Sequence, residues 1–349
     1  MAAAPSGKPI RVVQWATGTV GASAMRAVIG HPGMELVGVK VYSEVKVGKD
    51  AGELCGLPAT GVTATRDIEA ILALKPDCVL YMPESTDMDD VCGLLEGGAN
   101  IVTTRAEFFN GATMEPALRE RLEAACRKGN SSIHASGSSP GFITEALPIV
   151  LTSLSRRLDM LTVDEFANCI DACSDEMLLN IMGFGETAEV FARRELGKRD
   201  EVFEHSLSVL ADAVGLPVER FEVTSEFALT RQPVQLHATS IPAGTVGGQR
   251  VAITGLHQGK PLLRFRSNWF VTTDLEPHWE LRADGWRVLV EGDTPLDISI
   301  GFPVPAGERQ LVLPRLTAHR PVNAVPYVCA ARAGIVTTTD LPQVITRLA

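Results

Sequence analysis

The chain has no apolar run long enough to span a bilayer, and its first residues, Met1-Ala2-Ala3-Ala4-Pro5-Ser6-Gly7-Lys8, contain no apolar stretch of signal-peptide length. Both absences point away from membranes and from secretion. It also has no excess of positive charge: 32 Lys and Arg stand against 42 Asp and Glu, a formal net charge of −10. A nucleic acid is therefore a poor partner, because its phosphate backbone is met by a basic face. There is no Cys-x-x-Cys. The 7 cysteines (Cys55, Cys78, Cys92, Cys126, Cys169, Cys173, Cys329) are scattered and odd in number, which excludes a disulfide framework and suits reduced, partly buried thiols in the cytosol. The histidines have no metal-ligand spacing, and Cys169 and Cys173 lack partners at zinc spacing, so no metal site is expected. Asn130-Ser131-Ser132 matches a glycosylation sequon only by chance if the chain is cytosolic. No internal repeat or low-complexity linker interrupts the sequence.

What is there begins at residue 10. Ile10-Arg11-Val12-Val13-Gln14-Trp15 reads as a buried strand, Ala16-Thr17-Gly18-Thr19-Val20-Gly21 as a turn, and 22–29 as a helix. Strand, glycine turn and helix in that order seat a dinucleotide pyrophosphate on the N–H groups of a helix N-terminus. Gly18 lets the backbone approach the pyrophosphate, and Gly21 lets helix and strand pack closely. Ala16 replaces the first glycine of the G-x-G-x-x-G fingerprint, a turn alanine can make with a negative φ.

At 349 residues the chain is long enough for two domains. Strand signals at 35–42, 77–82, 100–104 and 131–135 alternate with helix signals. The latter are a helix capped by Asp67, one capped by Ser85 or Thr86 and stopped at Gly97-Gly98, and one over 115–128. Regular alternation implies right-handed crossovers and a parallel, doubly wound sheet, with ligands beyond the carboxyl ends of its strands. The residues to inspect are thus Thr17 to Val20, Ser43 to Lys46, Tyr81 to Pro83, Thr103 to Glu107 (with Thr104) and 136–141. After the second strand, Ser43 and Lys46 suit the 2′-phosphate of NADP, whereas an inward Glu44 would suit the ribose of NAD. NADP is expected, with NAD also usable.

From about residue 146 the pattern changes. A strand over 158–169 and a long helix over 186–213 precede a mainly β stretch, 221–302, whose alternating strands leave one face for solvent or association. Residues 316–333 look helical again despite Pro321 and Pro326. The expected layout is a dinucleotide-binding domain over 1–145, to which the tail 316–349 returns, and a second α+β domain over 146–315 with a largely antiparallel sheet. Met177, Met182 and Phe184 could form an apolar substrate wall or pack in a core. Glu165 and Asn168, near a strand end, are polar candidates for a substrate amine, and His134 sits near another strand end. Gly137-Ser138-Ser139-Pro140-Gly141 fits the G-x-S-x-G hydrolase elbow, but Pro140 has no N–H for an oxyanion hole, which excludes that chemistry.

The segments VVQWATGTVG (12–21), VYSEVKVGKDAGEL (41–54), GSSPGFITEALP (137–148), MGFG (182–185) and TAHRPVNAVP (317–326) resemble the dihydrodipicolinate reductase-like proteins. The likeness is greatest to the branch of 2,4-diaminopentanoate dehydrogenase and native amine dehydrogenases. The resemblance covers nearly the whole chain. It implies a Rossmann domain, a C-terminal domain whose open mixed sheet makes a homodimer, and a site between the two. It also implies NAD(P)-dependent interconversion of a primary amine with a ketone or aldehyde plus ammonia. Glu107 takes the catalytic position, Asn323 the nicotinamide carboxamide, and the 137–141 loop packs beside the nicotinamide. One carboxylate in an otherwise apolar pocket would steady a cationic iminium and shuttle protons. The His-His-x-x-Lys and Ser-Gly-Thr stretches of true dihydrodipicolinate reductases are absent, so their reaction is not implied. An imine or carbonyl reductase without an ammonia step, and a non-catalytic NADP-binding sensor, remain as alternatives.

Overall fold

The computed structural model of the protein describes residues 7–170, 173–194 and 201–347. The chain divides into two compact units, Met1–Phe142 with Pro314–Ala349, and Ile143–Leu313. The first unit runs β1 (Ile10–Trp15), α1 (Thr19–Ile29), β2 (Met34–Lys40), α2 (Ala51–Cys55), β3 (Ala64–Thr65), α3 (Ile68–Ala73), β4 (Cys78–Tyr81), α4 (Met88–Glu96), β5 (Asn100–Thr103), α5 (Pro116–Gly129) and β6 (Ser132–Ala135). The second follows with α6 (Leu147–Thr152), β7 (Leu158–Asn168), α7 (Ala188–Phe191), α8 (Glu201–Val214), β8 (Arg220–Thr230), β9 (Val234–Gln235), β10 (Ser240–Ile241), β11 (Val246–His257), β12 (Lys260–Phe270), β13 (Leu275–Glu276), β14 (Gly285–Gly292) and β15 (Leu296–Gly301). Then come α9 (Arg309–Val328) and β16 (Gly334–Ile335).

The first sheet has the order β16-β6-β5-β4-β1-β2-β3, and every pairing in it is parallel. The chain steps outward from β1 to β3, then crosses back to β4. The crevice therefore opens beyond the carboxyl ends of β1 and β4. Parallel strands with helices on both faces are buried on both sides. Accordingly Val12, Val13, Gln14 and Trp15 are all fully buried, and the Gln14 amide donates to the Ala16 carbonyl at 2.9 Å. On α1 the buried residues are Gly21, Ala24, Met25 and Val28, a helical stripe laid against the sheet.

Asp67 caps α3 as expected. The cap of α4 is Asp87, not Ser85 or Thr86: its carboxylate accepts from the N–H groups of Asp89 and Asp90, and the Thr86 hydroxyl is spent on Glu107. At the far edge, β16 pairs with β6.

The second unit centres on a seven-stranded sheet in the order β13-β8-β11-β12-β7-β14-β15. Only β7 and β12 run parallel, so the sheet is mixed and largely antiparallel, as the sequence implied. α8 packs on one face, where Phe203 stacks on Phe265 with ring centroids 4.1 Å apart and Leu207 and Leu210 are buried. The other face carries Glu222, Thr224, Glu226, Arg250, Thr254 and Arg264 around a shallow groove.

The single helix expected over 186–213 is instead α7 and α8. Thr187 caps α7, and after Phe191 the chain turns, with the Arg194 guanidinium folding back on the Glu186 carboxylate and the Ile181 carbonyl. Residues 195–200 lie outside the described part. Among the described residues no helix is long and apolar enough to cross a membrane.

Candidate active site

The glycine turn joins β1 to α1. Gly18 is the N-cap of α1, and its carbonyl accepts from Ala22 N–H at 2.8 Å, leaving the first-turn N–H groups of Thr19, Val20 and Gly21 without helical partners. A Cβ at Gly18 would meet no atom of the chain within 4 Å, so a ligand can approach this backbone closely. At Gly21 a Cβ would lie 2.2 Å from the Ala16 carbonyl oxygen, and only glycine fits. Ala16 departs from expectation: its φ is +70°, in the left-handed region. Its N–H is held by the Lys40 carbonyl at 2.9 Å and its own carbonyl by Gln14, so its neighbours impose the conformation. Such a conformation costs a non-glycine residue about 1–2 kcal/mol.

Lys40, the last residue of β2, is buried. Its ammonium lies 4.2 Å from the Tyr42 ring centroid and 5.4 Å from that of Trp15, and burial pushes its pKa down. Ser43 is exposed and precedes a one-turn 3-10 helix, Glu44–Lys46. The Lys46 ammonium turns back onto the glycine turn, donating to the Thr17 carbonyl at 2.9 Å and the Thr17 hydroxyl at 3.2 Å. Glu44 pairs with Arg66, a residue the sequence reading passed over.

Glu107 lies in a 3-10 turn, Ala106–Phe108, at the carboxyl end of β5. Its surroundings are not apolar. The carboxylate accepts from the Thr86 hydroxyl and, at 3.3 Å, from Arg105 Nε, and the two side chains are 31% and 29% exposed. Arg105 is fixed in turn by Thr86 at 3.1 Å and the Glu84 carbonyl at 2.6 Å. This arginine, two residues before the acid and at the same strand end, is visible in Thr103-Thr104-Arg105-Ala106-Glu107, although its contact with Thr86 is not.

Thr104 beside it is half-buried and Pro83 is buried. Tyr81 does not line an open site: it is fully buried, its ring 5.6 Å from that of Trp15, its hydroxyl accepts from Asp87 N–H at 3.0 Å, and burial raises its pKa.

The loop after β6 carries the buried hydroxyls of Ser136 and Ser139, which have no protein partner among the described residues. Ser138 bonds the Thr317 hydroxyl on α9 at 2.8 Å, and Asn323, one helical stretch further on, is half-buried. His134 is a core histidine. It is 1% exposed, its Nδ1–H donates to the Val336 carbonyl at 2.9 Å, and burial lowers its pKa to about 4.

In the second unit, Met182 and Phe184 are buried in a cluster with Cys169, Leu178, Phe191 and Leu236, so they form core and not a wall. Met177 is exposed. The Asn168 side chain caps its own strand exit, accepting from Ile170 N–H at 3.2 Å. Glu165 accepts one indole N–H on each oxygen, from Trp269 at 3.2 Å and Trp286 at 3.0 Å, partners too distant in sequence to be foreseen. The structure thus gathers Gly18, Thr19, Val20, Gly21, Ser43, Lys46, Thr104 and Glu107 at the carboxyl ends of strands of one sheet, and it withdraws His134, Tyr81, Met182 and Phe184 into cores.

Residues 11–90 match the family described as dihydrodipicolinate reductase, N-terminus. An amine dehydrogenase of Streptomyces virginiae is 28% identical over 348 residues, covering 95% of this chain and 96% of that protein. A 2,4-diaminopentanoate dehydrogenase of Acetoanaerobium sticklandii is 22% identical, covering 95% of this chain and 93% of its own. The structure of an amine dehydrogenase from Mycobacterium smegmatis has a TM-score of 0.77 to this chain at 22% identity, covering 98% of each, which establishes the shared fold. Residues 142–348, more than half of the sequence, match the 2,4-diaminopentanoate dehydrogenase C-terminal domain, and the chain belongs to that family of dehydrogenases.

Proposed function

We propose that this protein is an NAD(P)-dependent oxidoreductase that interconverts a primary amine with a ketone or aldehyde plus ammonia, with NADP as the preferred cofactor. Its relatives' names carry the reaction class. The observation that carries the site is Glu107 at the carboxyl end of β5, in a sheet whose β1–α1 turn leaves Gly18 uncrowded. The residues fit a dinucleotide. Gly18, Thr19, Val20 and Gly21 present N–H groups for a pyrophosphate, and Lys46 steadies Thr17 behind them. Ser43, exposed after β2, is the candidate for the ribose edge, while Pro83, Thr104, the 137–141 loop and Asn323 are the candidates for the nicotinamide side.

The hydride that amination needs at carbon would come from a bound nicotinamide and would return to it in the reverse direction. Glu107 does the remaining work. Its carboxylate attracts the ammonium or iminium cation, takes the proton that ammonia loses as the carbon–nitrogen bond forms, and returns a proton to the departing hydroxyl. Arg105 and Thr86 hold the carboxylate in one orientation for that transfer. All seven cysteines are free thiols, which suits a reducing, cytosolic compartment.

The test is steady-state reduction of a panel of aliphatic ketones and aldehydes with NADPH, with and without ammonium. Primary amine should form only when ammonia is present, and the reverse oxidation should appear at alkaline pH. Glu107→Gln should bind NADPH normally and lose about 10²–10⁴-fold in turnover. Alcohol formation independent of ammonia would assign a plain carbonyl reductase. Wild-type amination by Glu107→Gln would remove Glu107 from the mechanism.

A further inference from the structure

Which group reads the adenosine ribose is decided by where the charges after β2 and β3 are held. Lys46 is committed elsewhere: its ammonium bonds the Thr17 carbonyl and hydroxyl and so braces the glycine turn. Lys40 is tucked against Tyr42 and Trp15. Neither cation is presented at the exposed end of β2.

Arg66 is presented there. β3 pairs in parallel with β2, Lys40 opposite Thr65, and Val41 N–H donates to the Thr65 carbonyl at 2.9 Å. Arg66 is the next residue, so it emerges beyond the same carboxyl edge as Ser43 and Glu44. Its guanidinium meets the Glu44 carboxylate, and the two side chains are 49% and 78% exposed.

The pair offers both chemistries that distinguish the two cofactors. A carboxylate after the second strand accepts hydrogen bonds from a ribose diol, and a guanidinium fork matches a phosphate monoester. An ion pair this exposed holds its partners weakly, so the guanidinium can leave the carboxylate for a doubly charged phosphate.

We propose that Arg66 is the residue that selects NADP by binding its 2′-phosphate, with Glu44 as the exchangeable counter-ion that serves the ribose hydroxyls when NAD binds instead. The assignment rests on the reading that the β1–α1 turn holds a nicotinamide dinucleotide.

The experiment is calorimetric titration of the full-length protein with NADPH, NADH, adenosine 2′,5′-bisphosphate and 5′-AMP, comparing wild type with Arg66→Ala, Arg66→Lys, Glu44→Gln and Lys46→Ala. Arg66→Ala should weaken NADPH and the bisphosphate about 10–100-fold, the range for loss of a charge-assisted contact, and change NADH less than about threefold. Arg66→Lys should recover part of the NADPH affinity. Glu44→Gln should weaken NADH and leave NADPH as tight or tighter. Lys46→Ala should weaken both cofactors alike. Equal losses of NADPH and NADH in Arg66→Ala, or a selective loss of NADPH in Lys46→Ala, would overturn the assignment while the dinucleotide reading stands. If wild type binds neither dinucleotide, both fall together.

Discussion

His134 shows what one buried side chain does to stability. Burial holds its pKa near 4, against 6.5 for a free histidine, so the folded protein keeps the ring neutral where the unfolded chain would protonate it. Below pH 6.5 the unfolded state binds more protons, and stability falls with pH until the folded-state pKa is reached near 4. Between pH 7 and pH 5 this one group should cost about 2 kcal/mol. His134→Asn keeps a donor for the Val336 carbonyl and removes the titration. Urea denaturation at the two pH values should therefore show a smaller loss for the variant than for wild type, and equal losses would show that His134 is not the group responsible. Glu107 differs in kind. Its position at a strand end was visible in the sequence, but its environment was not, because the groups that make it polar include Thr86 from a different strand–helix connection. A motif locates a residue; the company it keeps depends on loops brought together by the sheet.

At the scale of elements, the strands of the first unit were legible because both of their faces are buried, which turns each into a short apolar run bounded by turn signals. Caps were legible where one acid stood alone, as at Asp67, and misassigned where Ser85, Thr86 and Asp87 competed. β3 spans only Ala64–Thr65 and carries no periodic signal, so nothing in the sequence pointed to Arg66. Met182 and Phe184 were ambiguous because core and pocket wall use the same residue types. The glycine turn is the element where sequence and geometry meet most closely, and its two glycines should fail differently. Gly18→Val adds atoms on the open side, so the variant should stay folded and lose cofactor binding. Gly21→Ala drives a methyl against the Ala16 carbonyl and should destabilise the fold by about 1–3 kcal/mol. Circular dichroism melts alongside NADPH titration separate the two outcomes, and a Gly21→Ala variant with wild-type stability would refute the close-packing role.

At the scale of the molecule, the open face of the second sheet invites self-association. Three of its arginines are already paired, Arg250 with Glu226, Arg266 with Asp164 and Arg287 with Asp297, so a second copy could cover them as ion pairs, while Arg264, which donates to the Thr254 hydroxyl at 3.2 Å, would need a carboxylate from that copy. A stable homodimer through this face should bury on the order of 2,000 Å². Light scattering at micromolar concentration should give twice the chain mass, and Ala252→Glu, in the middle of the groove, should give a folded monomer. A monomeric wild type would exclude the dimer. The return of the chain to its first sheet has another consequence, for synthesis. β6 can be made early, but the strand that covers its edge, Gly334–Ile335, is translated only after the whole of the second unit. Until then β6 presents an unpaired edge to any passing strand. The nascent chain must therefore carry an unfinished sheet through the translation of some two hundred further residues, roughly ten to forty seconds at ordinary elongation rates. A ribosome stalled anywhere in that interval would release a product with a sticky margin and not a half-active enzyme.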